Sequence, residues 1–160
     1  LAAAGTLVFF AYAQSEFVQN EFMKFAVSGN DIPGIEPITI RPEQESYKKG
    51  VDEIKLIISD PSGVGFYGCH FFRITKEDYL FKVWPATLKD ALNGHKDLYP
   101  YAFSASPSQD GAPITLTYTL KPDDWSFRPT RGSYTYTTLI RAEVNGVYYT
   151  SELSCDFTIE

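Results

Sequence analysis

Two long β-favouring runs, Ser133–Val144 and Val147–Ile159, are joined by nothing but Asn145-Gly146. A type I′ turn needs positive φ at both central positions, and Asn-Gly meets that demand with the least strain, so this dipeptide predicts a tight antiparallel hairpin. Along the second run, Val147, Tyr149, Leu153, Cys155, Phe157 and Ile159 fall on one face, with Ser151 the single polar break. Thr150, Glu152, Ser154, Asp156 and Thr158 take the other face. A hairpin with one apolar face must bury that face against a second layer.

The partner layer is visible upstream. Pro113–Leu120 alternates without an error, with Ile114, Leu116, Tyr118 and Leu120 predicted inward and three Thr outward. Glu53–Ser59 points Ile54, Leu56 and Ile58 to one side, and Asp60-Pro61-Ser62-Gly63 ends it with turn chemistry. Ile38 and Ile40 share a side of a short strand whose neighbour Pro42 suits a strand end, and Tyr47–Gly50 reads as a turn. Gly65–Thr75 is apolar on both faces, as in a central strand with a bulge near Gly68. Tyr79–Trp84 follows after a Lys76–Asp78 turn. About seven strands, turn signals at near-regular spacing and no βαβ alternation predict an all-β antiparallel sandwich, with an eight-stranded barrel as the alternative. Tyr134, just after Gly132, is placed to make the corner hydrogen bond that such sandwiches use.

The order of these landmarks resembles that of small bacterial immunoglobulin-like domains of secreted and envelope proteins. The resemblance rests on Ile38-Thr39-Ile40, Glu45–Gly50, Glu53–Ile58, Tyr67-Gly68, Tyr118–Pro122, and Pro129 with Gly132-Ser133-Tyr134. It runs unevenly from residue 36 to 160 and is poor between 70 and 114. Asp60-Pro61-Ser62-Gly63 stands where many relatives have an Asn-rich turn, and Cys69 where many have an acid. The resemblance implies an immunoglobulin-like fold and a spacer, adhesive or interaction role. It selects no ligand.

Residues 1–34 differ from the rest. Leu1–Ala13 contains no charge, is short for a membrane-spanning helix, and ends in Ala11-Tyr12-Ala13, a small-x-small pattern of the kind cleaved after secretory signals. Export or membrane anchoring through residues 1–13 is one expectation. A packed helix is the other, because Phe17, Val18, Phe22, Phe25 and Ala26 recur at helical spacing. Either way the sandwich is expected to occupy residues 35–160, in a secreted or cell-envelope protein.

The sequence offers little chemistry. Fourteen basic against 20 acidic residues give a net charge of −6, which disfavours nucleic acid as a partner. Two His and two Cys make a standard four-ligand Cys/His zinc site implausible and leave carboxylate metal sites open. Cys69 and His70 are strand neighbours and point to opposite faces, so they do not form a nucleophile–base pair. Asp123-Asp124 reads as a solvated turn or helix cap, with a metal or acid role as the alternative. No catalytic residue, metal or cofactor is expected. Cys69 and Cys155 are expected to be two separate buried thiols, because the third and last strands should lie two strand spacings apart, about 10 Å, beyond disulfide reach.

Aromatic side chains exceed what a small core requires: 12 Phe, 11 Tyr and 2 Trp. Trp84, Tyr99, Tyr101 and Phe103 gather in or beside the least regular segment and are the candidate contacts for a ligand or partner. They could instead cover one open end of the sandwich. The function expected is a non-enzymatic interaction or spacer module that meets protein or a cell-surface glycan. A carbohydrate-binding module using the 84–103 aromatics is the alternative.

Overall fold

A computed structural model describes residues 34–77, 79–84, 103–120 and 130–160, with backbone alone for residues 69–71 and 80–84. The expectations for residues 1–33 lie outside the described residues. Among the described residues nine strands run in chain order: β1 Thr39–Pro42, β2 Ser46–Tyr47, β3 Ile54–Asp60, β4 Phe66–Lys76, β5 Tyr79–Trp84, β6 Phe103–Ala105, β7 Ile114–Leu120, β8 Gly132–Val144 and β9 Val147–Ile159. One sheet has the order β1-β3-β7; the other has β2-β9-β8-β4-β5, with β6 also paired to β4. The chain is thus an all-β, immunoglobulin-like sandwich. Ladders are antiparallel except where the two residues of β2 run parallel to the end of β9. Among the described residues no helix is long and apolar enough to cross a membrane.

The β8–β9 hairpin forms as the Asn-Gly signal requires, with Asn145 at φ 52° and Gly146 at φ 77°. Its register pairs Val144 with Val147 and runs unbroken to Gly132 opposite Ile159. Leu153, Phe157 and Ile159 are buried, with Tyr149 and Cys155 packed against the core, whereas Val147 at the hairpin tip is exposed. From the facing sheet, Ile54, Leu56, Ile58 and Leu120 are buried as their alternation predicts, and Ile114, Leu116 and Tyr118 pack against them.

Much of the aromatic excess builds the core. Phe72 stacks on Tyr136 at 6.0 Å, Tyr134 stacks on Phe157 at 5.6 Å, and Tyr47 meets Phe157 edge-on at 6.1 Å. Buried tyrosines need partners for their hydroxyls. Tyr134 OH donates to Thr130 O at 2.5 Å and accepts from Thr130 N at 3.0 Å, the corner bond anticipated from Gly132 and Tyr134. Tyr47 does the same across another bend, donating to Lys55 O at 2.7 Å and accepting from Gln44 N at 3.2 Å. That anchor explains why part of an expected turn becomes β2. Tyr134→Phe should keep the ring stack and lose the corner bonds, at a cost of about 1–2 kcal/mol in chemical denaturation.

The crossing from one sheet to the other is fixed by Asp60. Its side chain is fully buried at the end of β3, where one carboxylate oxygen accepts from Gly63 N and the other from Gly65 N, each at 2.9 Å. The Asp60–Gly63 stretch therefore does more than turn the chain: it delivers Phe66 into the second sheet in register. Ser108 N donates to Gly63 O at 2.9 Å and ties the approach to β7 to the same corner.

Candidate functional site: a groove on the outer sheet face

Strand alternation places Phe66 and Gly68 inward and Tyr67 outward on β4, while β8 turns Ile140 and Ala142 inward and Arg141 and Glu143 outward. The registers Tyr67↔Ser104, Tyr67↔Arg141 and Arg141↔Thr150 line these residues up as one row across β6, β4, β8 and β9. Glu143 lies opposite Tyr148 in the neighbouring row, next to the hairpin turn.

Tyr67, Arg141, Glu143 and Tyr148, with Gly65, Ser106 and Pro107, line an open groove of about 440 Å³. Gly65, at φ +78°, makes the close approach possible: a Cβ there would stand 2.6 Å from Pro107 N and 2.8 Å from Ala105 O. Tyr67 is 37% and Tyr148 58% exposed, both large values for rings on a sheet face. The Arg141 guanidinium lies 5.6 Å from the Tyr148 ring centre, a cation–π arrangement that holds both side chains. Neither Arg141 nor Glu143 has an ion-pair partner among the described residues. The groove thus presents aromatic surface beside one charged donor and one charged acceptor.

Of the residues singled out in the sequence, only Phe103 is described with its side chain. Phe103 is only 7% exposed and belongs to the core, where it meets Tyr118 at 5.0 Å and Phe66 at 6.2 Å. Its ring fills the space left by Gly68, so it offers no surface to a ligand. Trp84 ends β5, opposite Phe72, and its side chain is outside the described residues, as are Tyr99 and Tyr101 altogether. Counting rings along the chain did not single out Tyr67, Arg141, Glu143 or Tyr148. Alternation could have placed Tyr148 opposite the apolar face of the last strand, but Gly65–Thr75 is apolar on both faces, so Tyr67 carried no such signal.

The cysteines sit as the strand order requires. β8 separates β4, which carries Cys69, from β9, which carries Cys155. Cys155 pairs with Tyr136, whereas Cys69 follows Gly68, which faces Ile140, so the two cysteines are also offset by about 10 Å along the strands, and no disulfide can form. Cys155 is a free thiol, and burial, with the charge of Asp156 second, pushes its pKa up to about 12. Thiolate is the reactive form. Iodoacetamide at pH 8 should leave Cys155 unmodified in the native chain and label it after unfolding, as read by peptide mass mapping. The side chains of Cys69 and His70 lie outside the described residues, as do His95 and Asp123-Asp124. Among the described residues no group of His, Cys, Asp and Glu is arranged to hold a metal ion.

No family model and no curated protein matches the chain. Among solved structures it is similar to the CARDB domain of the PF1109 protein from Pyrococcus furiosus, crystallised in complex with di-metal ions. Identity there is 12%, with 81% of this chain and 97% of that one covered and a TM-score of 0.34. It is similar to the periplasmic chaperone SfaE at 9% identity, covering 77% of this chain and 57% of that one, TM-score 0.36. The CooA pilin subunit from enterotoxigenic Escherichia coli has 9% identity, with 74% and 98% covered and a TM-score of 0.25.

Proposed function

We propose that this chain is a non-enzymatic immunoglobulin-like module of a bacterial exported or cell-envelope protein. In this reading residues 35–160 form the module, and residues 1–34 serve its export, anchoring or packing. The module meets its partner, a protein or a cell-surface glycan, through the outer groove. The observation that carries this is the pair of exposed rings, Tyr67 and Tyr148, held beside Arg141 and Glu143 on hydrogen-bonded strands. Exposed aromatics on a rigid scaffold lose little conformational freedom on contact and supply most of the energy of typical recognition sites.

A photo-crosslinking residue at position 148 of the full chain tests this on the surface of the source cells, with position 79 as the control. Tyr79 is 77% exposed at the far β4–β5 turn. Adducts formed from position 148 and not from 79 support the reading. Equal labelling, or none from 148, contradicts it.

A further inference from the structure

The groove's composition bears on the class of its ligand. Arg141 can only donate hydrogen bonds and an ionised Glu143 can only accept them. The two project from the same face of β8, two residues apart, about 6.6 Å along the strand. Ser104, Ser106 and Asn145 add small groups able to do either. A ligand that fits this set must itself both donate and accept at closely spaced points, and must offer an apolar face to Tyr148 and Tyr67. An acidic ligand would meet the Glu143 carboxylate and a chain of net charge −6. A basic one would meet the Arg141 guanidinium. A purely apolar segment would bury both charges without partners, at high cost.

A neutral sugar meets every requirement. Each hydroxyl donates and accepts, and the C–H face of a pyranose ring lies flat on a tyrosine. Donor and acceptor spaced as Arg141 and Glu143 are can grip opposite edges of one ring. The cation–π contact with Tyr148 fixes the guanidinium in advance, which limits the ordering cost of binding. The groove volume of about 440 Å³ is within the range of small-ligand sites and is open at the surface, as a chain end or a short internal stretch requires. From these features, and resting on the interaction-module reading above, we infer that the Tyr67–Arg141–Glu143–Tyr148 groove binds a neutral oligosaccharide.

The test is an NMR titration of the full 15N-labelled chain with cellotetraose, mannotetraose and N-acetylated chitotetraose, with tetraglutamate as a charged peptide control. The inference expects saturable shifts at the amides of Tyr67, Arg141, Glu143 and Tyr148 with at least one sugar. Because the ligand is uncharged, affinity should change little between about 50 and about 500 mM salt. Tyr148→Ala should weaken binding roughly tenfold, and Glu143→Gln roughly threefold, with the rest of the spectrum unchanged. Absence of shifts with all three sugars, or affinity indifferent to Tyr148→Ala, would overturn the inference. Tetraglutamate binding in place of the sugars would also overturn it, yet would leave the module reading standing. Failure of position 148 to crosslink strikes that broader reading instead.

Discussion

Replacing Asp60 with alanine should lower the unfolding free energy by about 3 kcal/mol, among the largest effects available from a single polar side chain in this fold. The carboxylate is fully buried, and both oxygens are used on backbone N–H groups of the loop that carries the chain between sheets. Alanine leaves the buried amide of Gly65 without its acceptor and Gly63 N with only its 3.3 Å bond to the residue-60 carbonyl, and an unsatisfied buried group costs about 1–3 kcal/mol. Asp60→Asn separates this from a packing effect. An amide retains one acceptor and turns an NH2 toward the other N–H, so about half the loss should remain. Urea denaturation followed by far-UV circular dichroism measures both variants. A loss below about 1 kcal/mol for Asp60→Ala would mean that the corner is held by something other than its carboxylate.

Phe103→Ala should cost about 3–4 kcal/mol by leaving a cavity between β4 and β7. The ring stands where a side chain on Gly68 would go: a Cβ at that position would lie 2.2 Å from two of its carbons. Tyr118 and Phe66 hem the ring in from other sides, so it cannot swing away. Gly68→Ala alone should therefore cost about 2 kcal/mol through overpacking. In the Phe103→Ala background the same change should cost almost nothing, since the added methyl enters the vacated space. A coupling above about 1 kcal/mol in this double-mutant cycle is the expected outcome, and simple additivity would contradict the packing described. Sugar binding at the outer groove should survive whenever the fold does, because Phe103 faces the core.

The architecture was legible wherever one face of a strand is buried, since a two-residue period then has one physical meaning. β5 and β9 run over the residues expected, and the turn at Asn145-Gly146 follows from backbone sterics alone. The bulge anticipated near Gly68 appears as a register shift between Gly68 and Phe72. What escaped the sequence depended on partners distant in the chain. β2 exists because Ser46 and Tyr47 find the end of β9, and β6 because Phe103–Ala105 finds the start of β4. Neither pairing has a local signature. The candidate site was hard to read for the same reason. Phe103 looks like its aromatic neighbours in the sequence, and only its pairing opposite Gly68 turns it inward. Tyr67, Arg141 and Tyr148 come from three strands, and only the register makes them one surface.

That register is therefore the most direct object of measurement. Backbone NOEs between Tyr67 and Arg141 and between Arg141 and Thr150 are expected from the pairings that build the groove. A pattern slipped by one residue, with Tyr67 facing Ile140, would turn Arg141 toward the core, since a single-residue shift exchanges the two faces of a strand. NOEs of that second kind would dismantle the groove and the role assigned to it.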